Sequence, residues 1–224
     1  MKSLKLGLSL TSMKYGAWSP ADESNLEAWY KYQTGITLNG SDVSAWADSS
    51  SNSFNMVQAT ASEQPAYNSG AIQFTAADTH NLGSASDITL SGAFTVGIKL
   101  NPDVSNVTVI GSNTTTNEFF KISTSTTLRF KTDGSQVDIT LDSGSFVGDS
   151  YLVVTRNSSN LITLYKNGVA QADTETLAGT ADINAIGVRR TDLNPYDGTI
   201  SEIQIYDTES AALTANVNTY LSNI

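Results

Sequence analysis

Three segments within residues 150–207 carry the period-two alternation of apolar and polar side chains that is typical of β-strands. Two of them, rich in β-branched and aromatic residues, flank a polar cluster at 157–160 that favours reversal of the chain. The second segment ends at Asn167-Gly168, a pair that readily adopts the positive backbone angles of a tight hairpin turn. The third segment occupies residues 200–206. Together they predict the closing strands of an antiparallel β-sandwich.

Shorter runs of the same kind recur along the rest of the chain, separated by turn-forming Gly, Pro, Asn and Asp residues. They predict strands near 43–46, 71–74, 93–100, 107–110, 118–123, 127–131 and 136–141. Two segments differ from this pattern. At 24–32, apolar residues spaced three and four apart predict a short helix or turn, and at 208–224 a similar stripe predicts a short C-terminal helix.

The first 20 residues form a separate segment that ends at Ser19-Pro20. Apolar residues alternate in it at Leu4, Leu6, Leu8 and Leu10, which predicts an extended strand with one apolar face. Such a strand pairs either with the body of the same chain or with another protein, to which it would anchor the domain. Because polar residues and glycine interrupt the apolar run, we expect no cleaved secretion signal. Residues 1–20 are therefore assigned to an N-terminal arm and residues 21–224 to one domain.

The amino-acid composition excludes several kinds of binding partner and several kinds of catalytic or metal site. The formal net charge is −10 and only 15% of the residues are charged, so we expect neither a nucleic acid nor an anionic membrane surface as partner. The chain has no cysteine and a single histidine, His80. Thiol nucleophiles, cysteine-ligated metals and multi-histidine metal clusters are thereby excluded.

Several segments, in order and spacing, resemble the concanavalin A-like, laminin-G-like jelly roll over residues 25–210. They are LEAWY at 26–30, VSAWAD at 43–48, QP at 64–65, AIQF at 71–74, FTV at 94–96, YLVVTR at 151–156, LYKNG at 164–168 and DGTISEIQIY at 197–206. The resemblance implies an all-β fold, an antiparallel two-sheet jelly-roll sandwich, for residues 21–224. The arm and the short C-terminal helix would flank it.

The sequence as a whole, including its start with alternating leucines, also resembles virion structural proteins of tailed phages, notably those of marine cyanobacteria. This resemblance implies a protein of the particle surface: a head decoration, a fibre or a tail-associated adhesin. Its partners would be other capsid or tail proteins, its location the virion, and a symmetric homo-oligomer would suit such a particle.

Glycoside hydrolases also occur on this jelly roll, and the resemblance implies where their carboxylates would stand. In the catalytic relatives, acidic residues alternate on one strand. Here the closing strand has Ser201 before Glu202, and Gln204 stands two residues later. Hydrolysis needs two carboxylates across a cleft. We therefore expect no enzymatic activity and assign Glu202 to capping or supporting a loop.

The densest cluster of polar and aromatic residues follows residue 188. The candidate contacts there are Arg189, Arg190, Asp192, Asn194 and Tyr196, which would bind a sugar or a protein partner. The alternative is an exposed hairpin loop whose arginines pair with Asp192 and Asp197. Trp18, next to the end of the arm, is a further candidate contact, whereas Trp29 and Trp46 lie in apolar patterns that indicate core packing.

A second polar series offers oxygen ligands for Ca²⁺, at Asp133, Asp138, Asp142 and Asp149. Aspartate at turns more often accepts hydrogen bonds from nearby backbone N–H groups, and the spacing matches no calcium loop. We therefore expect no cofactor and leave a metal site open.

Two functions remain. The first is a non-enzymatic virion structural protein, displayed on a phage particle and attached through the N-terminal arm. The alternative is a lectin-like carbohydrate-binding module that recognises a host surface polysaccharide.

Overall fold

The computed structural model describes residues 18–115, 120–190 and 193–224. In these ranges the strands are β1 (Leu26–Tyr30), β2 (Ile36–Asn39), β3 (Asp42–Trp46), β4 (Met56–Val57), β5 (Ala66–Asn68), β6 (Ala71–Phe74), β7 (Leu82–Leu90), β8 (Phe94–Pro102), β9 (Val107–Gly111), β10 (Phe120–Ile122), β11 (Thr127–Thr132), β12 (Ser135–Thr140), β13 (Ser150–Arg156), β14 (Leu161–Lys166), β15 (Val169–Ala170), β16 (Glu175–Thr176), β17 (Ala181–Ile186) and β18 (Gly198–Tyr206). One α-helix, α1 (Ala211–Leu221), follows them, and 3₁₀ turns occur at Pro20–Asp22, Ala61–Glu63 and Ala76–Asp78.

The strands pair antiparallel in two layers. In sheet I, β18 lies between β8 on one side and β1 and β6 on the other, and β8 continues through β13 to β14. In sheet II, β7, β17, β9, β10, β11 and β12 lie side by side. The main apolar core fills the space between the two sheets. The prediction of an all-β antiparallel sandwich with a short C-terminal helix is confirmed.

The hairpin between β13 and β14 matches the prediction from the alternating segments. Its strands pair from Leu152 opposite Lys166 to Arg156 opposite Ile162. The turn that follows β14 has Asn167 at φ 50° and Gly168 at φ 78°, as the Asn-Gly pair predicts. Local sequence therefore determines both the register and the turn in this part of sheet I.

The prediction of a helix or turn at residues 24–32 is wrong, because residues 26–30 form strand β1. Ala28 and Tyr30 join the core between the sheets, whereas Leu26 and Trp29 pack in a second apolar cluster on the outer face of sheet I. A bulge between Leu26 and Ala28 shifts the pairing with β18. Since both faces of the strand are buried, apolar residues fall at three- and four-residue spacing and imitate a helical stripe.

Helix α1 covers the outer face of sheet I. It begins where the Ser210 side chain accepts a hydrogen bond from Leu213 N at 3.1 Å, an N-cap. Its buried residues Leu213, Val217 and Leu221 pack against Trp29, Val153 and Tyr206. The helix approaches β8 at Gly97, where an added Cβ would lie 2.5 Å from Val217 Cγ1 and 3.0 Å from Leu221 Cδ1. No helix in the described ranges is long and apolar enough to span a membrane.

Arg156, the last residue of β13, is fully buried. Its guanidinium donates hydrogen bonds to four backbone carbonyl oxygens: Leu90 O at 3.2 Å, Gly92 O at 2.7 Å, Leu177 O at 3.4 Å and Gly179 O at 2.7 Å. It also lies 4.8 Å from the ring centroid of Phe94. Burial lowers the pKa of Arg156. The first two carbonyls belong to the connection from β7 in sheet II to β8 in sheet I, and the other two to the connection from β16 to β17. Arg156 thus fastens two of the connections that pass between the sheets.

The arm lies largely outside the described residues, which begin at residue 18. Leu4, Leu6, Leu8 and Leu10 fall there, so the anchoring role and the domain boundary at residue 20 stay predictions. The prediction for the two core tryptophans is confirmed, because Trp29 and Trp46 are both buried.

We expect Arg156→Met to lower the free energy of unfolding by roughly 3–5 kcal/mol, because several buried carbonyls lose their donors at once. Arg156→Lys, which keeps the charge but offers fewer donors in a different geometry, falls between Met and wild type. Urea denaturation measures both. The control is Arg129→Met, which removes a partly exposed ion pair and costs about 1 kcal/mol or less. A loss at Arg156→Met no greater than in this control would contradict the role of Arg156.

Gly97→Ala should destabilise the protein by about 1–3 kcal/mol, because the new methyl group displaces α1 from sheet I. Gly92→Ala is the matched control, since nothing lies within 4 Å of a Cβ at that position. It should change stability by no more than about 0.5 kcal/mol. Equal melting temperatures for the two variants would show that the contact between α1 and β8 is not tight.

Candidate ligand-binding face

A row of polar side chains crosses the outer face of sheet II. The strand register places Thr108 opposite Lys121, Lys121 opposite Arg129, and Arg129 opposite Asp138. Their neighbours along each strand point into the core, so these four side chains point the other way. We call this row, together with Arg189 and Asn194, the Lys121 face.

Arg129 and Asp138 form a bidentate ion pair across β11 and β12. Arg129 Nε donates to Asp138 Oδ1 at 2.8 Å and Nη2 donates to Oδ2 at 2.9 Å. Arg129, through this hydrogen bond and its charge, together with Lys121, holds the pKa of Asp138 below its usual value. The pair fixes both side chains in one orientation on the sheet.

The loop from residue 187 to residue 197 continues β17 and lies along β9. Gly187 N donates to Val109 O at 2.9 Å, Arg190 N to Ser112 O at 2.7 Å, and Thr108 N to Asn194 O at 2.8 Å. Within the loop, Arg189 and Leu193 form an isolated antiparallel bridge. Backbone hydrogen bonds therefore hold the loop beside the polar row of sheet II.

Asn194 connects the loop to the sheet. Its side-chain oxygen accepts from Arg189 Nε at 3.1 Å, from Arg189 Nη2 at 2.8 Å and from Lys121 Nζ at 3.3 Å. Its side-chain nitrogen donates to Asn106 O at 3.2 Å. Lys121 is only 6% exposed. The side-chain oxygen of Asn194 thus holds the ammonium group of Lys121 and the guanidinium group of Arg189 close together.

Thr108 lies next to Lys121 in the row and is fully buried. Its backbone N–H binds the loop, but its hydroxyl oxygen finds no hydrogen-bond partner among the described residues. A buried hydroxyl without a partner costs free energy and is uncommon in proteins. The Lys121 face therefore has hydrogen-bonding capacity that its own described residues do not use.

Glu202, the carboxylate of the closing strand, lies on the other sheet and is fully buried. Its Oε1 accepts from Trp29 Nε1 at 2.5 Å and from Gln204 Nε2 at 2.9 Å, and its Oε2 accepts from Tyr32 N at 2.6 Å. Burial raises the pKa of Glu202, although these donors and Lys31 oppose the shift. Glu202 supports the turn after β1, as the sequence predicts, and both of its oxygens are already occupied.

A family model described as the concanavalin A-like lectin/glucanases superfamily matches residues 68–216, two thirds of the chain. The chain belongs to this superfamily. A search of curated protein sequences gave no significant match.

Solved structures repeat the superfamily's jelly roll at low sequence identity. Domain 4 of AbnA, a GH43 extracellular arabinanase from Geobacillus stearothermophilus in complex with arabinotriose, has a TM-score of 0.63 at 18% identity, covering 88% of this chain and 98% of that one. The binding domain of Paraclostridial Mosquitocidal Protein 1 has a TM-score of 0.58 at 15% identity, covering 92% and 53%. Trypanosoma rangeli sialidase in complex with sialic acid has a TM-score of 0.57 at 14% identity, covering 91% and 33%. The chain thus spans about half of the mosquitocidal binding domain and a third of the sialidase, and these likenesses show the fold alone.

Of the loop residues predicted as contacts in this superfamily member, Arg189 and Asn194 belong to the Lys121 face. Arg190 is exposed at the bend of the loop, with φ 30°. Asp192 lies outside the described residues. The prediction of a contact at Tyr196 is wrong, because its side chain is 0% exposed and its ring packs against Phe74 with centroids 5.8 Å apart. Tyr196 anchors the end of the loop in the core.

Trp18 is half-buried rather than freely exposed. Its Nε1 donates to Glu23 Oε1 at 2.8 Å, and its ring meets that of Tyr220 edge to face at 6.1 Å. Both rings line a cavity of about 380 Å³ on the outer side of α1, together with Asn216, Thr219, Asn223 and Ile224. The cavity is a second place where a small ligand would fit by size.

The four aspartates considered as Ca²⁺ ligands are engaged with protein groups and do not converge. Asp138 pairs with Arg129 and Asp149 with Lys99, whereas Asp133 and Asp142 accept from backbone N–H groups. The described residues contain no group of three or more His, Cys, Asp or Glu placed to hold a metal ion.

The raised pKa of Glu202 predicts a pH-dependent stability. A carboxyl group whose folded-state pKa is raised contributes its full stability below its ordinary pKa and loses it as the pH rises through the folded value. The stability of wild type relative to Glu202→Gln should therefore decrease over that pH interval and then level off. Urea denaturation of both proteins from mildly acidic to neutral pH measures this. Parallel stability profiles would show that Glu202 does not titrate differently on folding.

Proposed function

We propose that this protein is a non-catalytic carbohydrate-binding module and that its ligand binds to the Lys121 face. The observation that carries the proposal is the partly exposed Arg129–Asp138 pair on the outer face of sheet II, beside the loop that bears Arg189, Arg190 and Asn194. This arrangement offers donors and acceptors at fixed spacing, which suits a ligand covered with hydroxyl groups.

Rigid positioning supports this assignment. The side chains of the row stand on strands rather than on loops, and the Arg129–Asp138 pair and the Asn194 contacts restrict their rotamers. Little conformational entropy is then lost when a ligand binds. Strand-borne groups are also held more accurately than loop-borne ones.

The comparisons support a sugar ligand by analogy of fold. The arabinanase domain is a complex with arabinotriose and the sialidase is a complex with sialic acid. Because one fold carries many functions, the proposal rests on the residues of this chain and not on those names.

Two features support a non-catalytic role. Glycoside hydrolysis uses two carboxyl groups across the bond, one of them protonated as an acid. On the Lys121 face the described carboxylate is Asp138, whose two oxygens bind Arg129 and whose pKa is lowered, so it is a poor acid. The carboxyl group with a raised pKa on β18, Glu202, is buried beneath Trp29, and both of its oxygens already accept hydrogen bonds.

Display on a phage particle stays a prediction. It depends on residues 4–10 of the arm, which lie outside the described residues, and on a resemblance of the sequence to virion proteins. A carbohydrate-binding module on a virion surface would combine the two predictions, with the arm as anchor and the domain as receptor-binding unit.

We expect Asn194→Ala to weaken binding to a polysaccharide at least about tenfold, because Arg189 and Lys121 lose the oxygen that orients them. A broad glycan array identifies the ligand, and isothermal titration calorimetry gives the affinities. Asn216→Ala is the matched control, since it makes the same change at the Trp18 cavity on the opposite sheet, and it should bind like wild type.

Reversed results, with Asn216→Ala weakened and Asn194→Ala unchanged, would move the site to the Trp18 cavity. An array without any hit would contradict the proposed function itself. Thermal melting of both variants verifies that each is folded.

A further inference from the structure

The cavity on the outer side of α1 lies where the described part of the chain begins. Its volume is about 380 Å³, and Trp18, the first described residue, forms part of its wall. Tyr220 and Ile224 supply further apolar wall, and all three side chains are half-buried. Apolar side chains that enter such a cavity remove its wall from water and thereby gain free energy.

The aromatic wall of the cavity is held in one position. Trp18 Nε1 donates to Glu23 Oε1 at 2.8 Å, which fixes the indole ring. The Tyr220 ring meets Trp18 at 6.1 Å and Trp29 at 6.3 Å, both edge to face. The cavity is therefore continuous with the apolar cluster on sheet I and needs little rearrangement to accept an occupant.

The residues just before Trp18 match the cavity in chemistry and in reach. A chain spans at most about 3.6 Å per residue, so Met13 lies within roughly 18 Å of Trp18 in any conformation. Met13, Tyr15 and Ala17 alternate with polar or small residues, and an extended segment would place all three on one face. Methionine sulfur and tyrosine rings both make favourable contacts with aromatic rings. The short connection also gives these side chains a high effective concentration at the cavity.

The charges of the arm and of the domain are complementary. Residues 1–17 contain the cations Lys2, Lys5 and Lys14 and no acid. Of the 12 Lys and Arg, nine remain for residues 18–224, which hold all 22 Asp and Glu. Electrostatic attraction thus favours contact between the arm and the domain.

Several of these acids lie close to the point where the arm joins the domain. Glu23 is the hydrogen-bond partner of Trp18. Burial, followed by the charges of Asp207 and Asp48, raises the pKa of Glu27. The negative charges are therefore close enough to disfavour one another, and an added cation would stabilise them.

The described cations on the same outer face already have partners. Lys31 Nζ lies 4.7 Å from the ring centroid of Trp29, and Lys99 Nζ lies 3.1 Å from Asp149 Oδ2. A lysine of the arm would meet the acids beside Trp18 without competing with either contact.

We propose that residues 13–17 bind in the Trp18 cavity of their own chain, with Met13 and Tyr15 against Trp18 and Tyr220. Lys14, between them, adds a cation near Glu23. Residues 4–10 then leave the domain on the side of sheet I, opposite the Lys121 face. A domain anchored through its leucines would present the Lys121 face outwards. The proposal does not depend on which glycan, if any, the protein binds.

Limited trypsin digestion of the full chain tests this, with the cleavage products followed by mass spectrometry. Trypsin cleaves after lysine, and cleavage needs a locally open chain. We expect cleavage after Lys5 to be at least about tenfold faster than cleavage after Lys14, because docking withdraws Lys14 from the protease. Slow cleavage at Lys31 verifies that the domain itself is folded.

Two variants connect the protection to the cavity. Tyr15→Ser removes a side chain that fills it, and Ile224→Ser changes its wall while leaving the cleavage site intact. Each should speed cleavage after Lys14 by about fivefold or more. The matched controls Leu8→Ser, in the arm, and Val169→Ser, 63% exposed on the β14–β15 hairpin, should leave that rate unchanged. Equal rates after Lys5 and Lys14 in wild type would overturn the inference, and so would protection that survives Ile224→Ser.

A cysteine pair decides whether the occupant belongs to the same chain or to a second copy. The sequence has no cysteine, so in the double variant Ser12→Cys with Asn223→Cys any disulfide joins the two new positions. We expect a disulfide within one chain, seen as a monomer on a non-reducing gel. A disulfide between chains would place the arm of a second copy in the cavity, and formation of no disulfide would exclude the arm from it. Either result contradicts the proposal.

Discussion

The burial of Arg156 is the constraint on which the two-sheet arrangement depends. A guanidinium group cannot leave water without replacing its hydrogen bonds, and here four main-chain carbonyls replace them. Those carbonyls come from two of the connections that pass between the sheets, β7 to β8 and β16 to β17. The need to satisfy one charged side chain therefore constrains where these two connections run. The second of these crossovers leads into β17, and β17 leads into the loop that carries Arg189.

The two outer faces of the sandwich differ in what covers them. On sheet I, α1 packs against Gly97 and encloses an apolar cluster, with the carboxylate of Glu202 held beneath Trp29. On sheet II the corresponding surface carries a polar row and a short loop instead of a helix. One outer face is thus covered by a helix and the other carries the polar row. The same division explains why the buried glutamate and the proposed binding residues are on opposite sides of the molecule.

Local signals in the sequence predict much of the fold but little of the site. The Asn167-Gly168 turn and the alternating segments around it identify the hairpins, because turn type and strand register are local properties. The sequence does not predict strand β1, because residues on both of its faces are buried and apolar and polar residues therefore do not alternate along it. The sequence places Tyr196 among polar residues and so predicts an exposed contact, whereas its ring folds back onto Phe74 in the core. The pair Arg129–Asp138 can be predicted from the sequence, because a two-residue turn at Asp133-Gly134 places those residues opposite each other. The contact of Lys121 with Asn194, 73 residues apart, depends on the whole topology and has no local signal.

The Arg156 clamp has a consequence for how this scaffold can change. Its four acceptors are main-chain oxygens, and a main-chain oxygen is present whatever side chain the residue carries. At Gly92, where nothing lies within 4 Å of an added Cβ, a side chain can therefore be introduced while the clamp stays intact, provided that the backbone path is kept. Evolution or design can thus change the side chain at that position without altering the contact that joins the two connections.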